Sequence, residues 1–172
     1  MNYHSLDIEW GNHDILWMGA ACGNDACICN VIRNNLKYGN VEILENAYGI
    51  SLRQLMLFGM SKYGIEDGIQ AALAAIKVML FKLEGQLIKR HPEYGMDDRL
   101  LLEHIDLDEG FVNVNGENVK LKTNIFPTLN KENPYELTSE ENEIMLKLHR
   151  SFVSGQRLSK HIKFLYDKGG MY

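Results

Sequence analysis

Residues 11–14 read Gly11-Asn12-His13-Asp14, a string whose residue types suit chemistry better than packing. An asparagine amide oxygen is a hard, neutral ligand for Mg²⁺- or Mn²⁺-like cations. A histidine beside it can act as a general acid towards a leaving alkoxide, or stabilise its charge. A neighbouring aspartate can hold that imidazole in orientation. The plainer alternative is a helix start, because asparagine and aspartate are favoured N-cap residues.

The surrounding elements must place these groups. Leu6-Asp7-Ile8-Glu9-Trp10 alternates apolar and polar residues and predicts a short strand. Gly11 then allows a sharp turn, at the strand end where α/β sheets hold their ligands. From Ile15 to about Lys37 the pattern is helical, broken near Gly23-Asn24, with Asn24 as a cap. Tyr38-Gly39-Asn40 is a stop, and a short helix through Glu45 follows. Ser51 is placed to cap a helix from Leu52 to about Tyr63.

The longest helix is expected from about Glu66 to Lys89, with Ile69, Leu73, Ile76, Leu80, Leu83 and Leu87 on one apolar face. Pro92 ends it, and Lys89, Arg90 and His91 suit its C-terminal dipole. A short helix is expected over Asp97 to His104. Phe111–Val114 and Asn118–Leu121 form a hairpin signal around Asn115-Gly116, with Glu117 lengthening the turn. Thr138 and Glu141 have capping-box spacing for a helix to about Phe152. Gly155 breaks it, and a last helix runs from Gln156 to Asp167, stopping at Gly169-Gly170. The fold class is mainly α, with a short N-terminal strand and one β-hairpin.

A length of 172 residues allows one domain with a sizeable core. The net charge of −5 and the lack of a basic cluster argue against a nucleic-acid partner. The most apolar segment, Ala71 to Leu80, is short and carries Lys77, so no membrane partner is expected. No signal peptide is expected after Met1. Cys22, Cys27 and Cys29 are read as buried, reduced thiols rather than metal ligands, which fits a cytoplasmic protein.

Gly-Asn-His-Asp after a strand resembles the third signature block of the calcineurin-like metallophosphoesterases. The longer strings WGNHDILWMGA, NVIRNNLKYGN, ILENAYGISLRQLMLF, RLLLEHID and SGQRLSKHIKFLYDKGGMY are similar to the class 3 fructose-1,6-bisphosphatases of Firmicutes, across essentially the whole chain. That resemblance implies an α/β metallophosphoesterase sandwich: 1–14 as strand and loop of the core, 15–155 as a mostly helical insertion with the hairpin near 111–121, and 156–172 as a helix returning to the core. It implies two divalent metals, manganese by preference, with Asn12 ligating one. It implies that His13 assists the leaving sugar oxygen and that Asp14 orients His13. The reaction implied is hydrolysis of the 1-phosphate of fructose 1,6-bisphosphate in gluconeogenesis.

The family's Asp-x-His and Gly-Asp-x-x-Asp-Arg blocks belong upstream of this segment, and its later histidine ligands downstream. An asparagine alone cannot hold a metal pair. The chain is therefore expected to be an internal segment, inactive alone, whose partners are a sugar bisphosphate and the remainder of the enzyme; a homo-oligomer is compatible with this. Phosphate recognition calls for arginine, and Arg33, Arg53, Arg99, Arg150 and Arg157 are available. Arg157, in the SGQRL string, is the chosen substrate contact. His4, His91, His104, His149 and His161 are expected at the surface or at caps, and Trp10 and Trp17 in the core beside the motif. The alternatives are a non-catalytic helical module for assembly or regulation, and a metallophosphoesterase of another substrate.

Overall fold

A computed structural model describes residues 11–168, with side chains through Phe164. The strand expected at 6–10, Trp10, His4 and the stop at Gly169-Gly170 lie outside the described residues. The chain divides into two compact units, one of residues 1–51 and 145–172, the other of 52–144.

In the first unit, α1 (Asn12–Ala21) and α2 (Asp25–Lys37) form a helical hairpin. Gly23, at φ +86°, turns the chain between them, and its N–H donates to the Ala20 carbonyl at 3.0 Å. Asn24 caps α2 as expected, its Oδ1 accepting the Cys27 N–H at 2.9 Å. The turn Ile43–Ala47 is π-helical, in place of the short α-helix expected there. The division into units falls within α5 (Ser139–Ser154), and α6 (Gln156–Lys168) follows and packs on α1. Ile28, Ile32, Leu44, Phe152 and Leu158 are among the most deeply buried residues of this unit. The expectation of three buried thiols needs correction. Cys29 is buried, but Cys27 is half-buried and Cys22 exposed, because position 22 falls in the turn where α1 ends.

In the second unit, α3 (Arg53–Tyr63) and α4 (Gly68–Arg90) form another hairpin. Leu52, not Ser51, is the N-cap of α3, and it supplies no side-chain cap. Asp67 caps α4, accepting the Gln70 N–H at 2.8 Å. The helices touch backbone to backbone at Gly59, where an added Cβ would sit 2.3 Å from the Ala71 carbonyl oxygen. A single apolar face does not describe α4. Ile69 on the expected face is exposed, whereas Ala71, Ala72, Ala75, Val78, Met79 and Lys82 off it are buried. Covered on several sides, the helix needs small residues where neighbours approach closely.

Instead of one short helix, 97–104 folds as two 3₁₀ turns, Asp97–Arg99 and Leu101–His104. The hairpin is part of a three-stranded antiparallel sheet, ordered β1 (Ile105–Asp106), β2 (Phe111–Val114), β3 (Glu117–Lys120). Glu117 pairs with Val114, so the turn is the two-residue Asn115-Gly116 and is not lengthened. Both turn residues have positive φ, 52° and 89°, which matches the twist of the strands they join. The capping box of α5 forms as its spacing predicts: Glu141 N–H donates to Thr138 Oγ1 at 3.2 Å, and Thr138 N–H to Glu141 Oε2 at 2.8 Å. Among the described residues the chain is thus mainly helical with one small sheet.

Candidate functional site

The motif opens a helix. Gly11 is the N-cap of α1, with extended φ −80° and ψ 162°, and Asn12, His13 and Asp14 form the first turn. The helix expected to begin at Ile15 begins three residues earlier, because Asp14 supplies a local cap. Its Oδ2 accepts the Gly11 N–H at 2.9 Å, and Gly11 O accepts the Asp14 N–H at 3.0 Å. A carboxylate in the first turn also meets the positive end of the helix dipole. The capping alternative therefore describes Asp14 as it stands, and consecutive helical positions do not face each other, so Asp14 is badly placed to clamp His13.

His13 and Asp14 enter the wall of a cleft of about 260 Å³ in the first unit. Leu16, Val31, Leu158 and Ile162 supply its apolar surface, and Trp17, Tyr48 and His161 an aromatic one. Trp17 is half-buried, lying 5.1 Å from Tyr48 and 6.1 Å from Phe152 between ring centroids. Asn12 is exposed and is not among the lining residues.

Two long-range contacts tie α6 to the π-helical turn. Tyr48 Oη and His161 Nδ1 lie 2.6 Å apart, their rings nearly parallel at 13°. Arg157, one helical turn before His161, donates from Nη1 to the carbonyls of Asn46 and Ala47 at 3.2 and 3.3 Å. The residue chosen as a phosphate contact thus meets backbone carbonyls here. Of the other arginines, Arg33 bonds Asn30 and Asn34, and Arg99 and Arg150 are exposed. Sequence reasoning misses Tyr48 and His161 as a pair. Their separation of 113 positions leaves no spacing to read; the four-residue step from Arg157 to His161 is the one local hint of a shared face. Burial pushes the Tyr48 phenol above its ordinary range, so it keeps its proton. His149, on α5, pairs instead with Asp25 at 2.8 Å.

Among the described residues no group of three or more His, Cys, Asp or Glu side chains could hold a metal. Asn12 offers one neutral oxygen and Asp14 has an oxygen engaged by Gly11, a donor set that does not by itself fit a divalent pair.

The family described as Firmicute fructose-1,6-bisphosphatase matches residues 1–172. The chain belongs to that family. It is 49% identical over 192 residues to a class 3 fructose-1,6-bisphosphatase of Clostridium beijerinckii, covering 100% of this chain and 29% of that protein. Identity is 47% over 192 residues to the class 3 enzyme of Listeria monocytogenes and 45% over 191 to that of Clostridium novyi, with the same coverage of 100% and 29%. The chain thus spans 29% of the length of these curated relatives. No solved structure matches it.

Proposed function

We propose that this chain serves as a segment of a fructose-1,6-bisphosphatase, releasing the 1-phosphate of fructose 1,6-bisphosphate to give fructose 6-phosphate and phosphate in gluconeogenesis. The family match across all of residues 1–172 carries this reading. The metallophosphoesterase sandwich, the manganese pair and the cytoplasm as compartment belong to the same proposal. Asn12 would be one metal ligand, and the others would come from residues elsewhere in the longer family polypeptide.

The chain's own residues have defined parts in this reading. His13, exposed in the first turn of α1 and lining the cleft, is the proton donor to the departing sugar oxygen. Asp14 acts on it indirectly, by closing the turn that holds His13 in place. Arg157 contributes by fixing the π-helical turn. Its direct contact with the substrate's phosphate remains part of the proposal.

The test is Mn²⁺-dependent phosphate release from fructose 1,6-bisphosphate by a full-length protein carrying this segment. His13→Ala is expected to lower kcat by about 10²- to 10⁴-fold. The 172 residues by themselves are expected to release no phosphate. Activity of the isolated chain that His13→Ala abolishes would overturn the shared-site reading, and a full-length protein inert on this substrate would overturn the function itself.

A further inference from the structure

Tyr48 and His161 line the same cleft as His13, and nothing in the proposed proton transfer uses them. Their chemistry is nonetheless specific. A phenol has one proton to give, and Tyr48 keeps it because burial opposes ionisation. With Tyr48 Oη as donor to Nδ1 of His161 across 2.6 Å, the ring N–H that faces the cleft is the one on Nε2. His161 is then a donor of fixed tautomer, held against the π-helical turn by Tyr48 and by Arg157 one turn away.

The rest of the lining narrows the ligand class. Trp17 and Tyr48 offer aromatic surface, and Asn34 and Asn40 offer amides. Among the described lining residues there is no lysine or arginine, and Asp14 is the one carboxylate. A phosphate dianion would meet no permanent cation here and would face that carboxylate. An uncharged ring bearing hydroxyls would find flat apolar surface together with donors and acceptors. The volume, about 260 Å³, falls just below the usual range for ligand clefts, room for one such ring and not for a larger ligand.

We infer that this cleft is the subsite for the uncharged ring of a sugar phosphate, with the Tyr48–His161 pair as its hydrogen-bonding fixture and the phosphates held outside it. This rests on the phosphatase reading above. The test compares wild type, Tyr48→Phe and His161→Gln in a full-length enzyme carrying this segment. It measures KM and kcat for fructose 1,6-bisphosphate, inhibition by inorganic phosphate as a ring-free ligand, and thermal unfolding. Loss of one neutral hydrogen bond predicts a KM raised about three- to tenfold in each variant, with kcat within about twofold. The inhibition constant of phosphate is expected to stay unchanged, and the unfolding temperature to fall alike in both variants, by no more than the loss of that one hydrogen bond. An unchanged KM, or weakening of sugar bisphosphate and phosphate alike, overturns the subsite. A wild-type enzyme that binds phosphate but releases none from the sugar bisphosphate overturns the underlying reading, a result separable from the first two.

Discussion

Lys82 Nζ lies 2.7 Å from Glu141 Oε2, and both side chains are 0% exposed. The lysine also donates to the Thr128 carbonyl at 2.6 Å, and the same carboxylate oxygen accepts the Thr138 N–H. One ion pair therefore joins the middle of α4, the loop before α5 and the cap of α5. Desolvating two charges is costly, so the pair contributes only while both partners remain. Lys82→Met strands a buried carboxylate and is expected to destabilise the fold by about 3–5 kcal/mol. Adding Glu141→Gln removes the stranded charge and is expected to recover a large part of that loss. Urea unfolding of wild type and both variants tests this, and a double variant no more stable than Lys82→Met would refute it.

Gly59 and Gly85 are places where helix α4 is met without room for a methyl group. A Cβ at 59 would lie 2.3 Å from the Ala71 oxygen, and one at 85 would lie 2.1 Å from Tyr135 Cδ1. Backbone cannot be repacked as a ring can. Gly59→Ala is therefore expected to cost more than Gly85→Ala, which should fall near the usual overpacking penalty of about 1–3 kcal/mol. Denaturant midpoints in the reverse order would contradict this.

Burial raises the phenols of Tyr63 and Tyr135 to about 12. Both ionise more easily in the unfolded chain, whose tyrosines keep the ordinary value of 10.0. Between these values the folded state binds more protons, so stability falls as pH rises and is fully present below pH 10. An ultraviolet titration should show these two phenols ionising late, with unfolding midpoints dropping across that window. Tyr63→Phe is expected to flatten the slope.

Asp14 closes the first turn of α1 through the Gly11 N–H. Asp14→Ala is expected to lower stability by about 0.5–2 kcal/mol, the range for a lost cap. In a full-length enzyme the same change should lower kcat, whereas Asp14→Glu, able to reach back to the cap, should lose less. Equal loss in both variants would speak for direct contact of the carboxylate with the reacting groups.

Local chemistry is legible wherever a few neighbouring residues settle the structure. The Asn24 cap and the Thr138–Glu141 box fall in that class, as does the hairpin at Asn115-Gly116, although its turn is shorter than the expected one because Glu117 pairs with Val114. At 11–14 the helix-start alternative is legible in the same way, although the helix begins three residues before the apolar pattern does, because the cap comes from Asp14 within the motif. What stays hidden depends on distant partners. Lys82 sits in an apolar run and gains its counterion 59 positions later. The cleft takes form only when α6 returns to Tyr48, so the surroundings of the motif cannot be read from the residues beside it. The two-residue strand β1 exists because β2 offers an edge, and it carries no pattern of its own.

The Asn115-Gly116 turn also bears on chemical ageing. An exposed asparagine followed by glycine is prone to succinimide closure, in which the glycine nitrogen attacks the asparagine side chain. Here that nitrogen is occupied: Gly116 N–H donates to Asn113 Oδ1 at 3.0 Å, and Asn113 Nδ2 in turn donates to Asn118 Oδ1 at 2.9 Å. The hydrogen-bond chain across the hairpin thus opposes a reaction that would turn Asn115 into an acid and shift the net charge beyond −5. At this hairpin the nitrogen that would attack is held by a side chain two residues before the vulnerable asparagine.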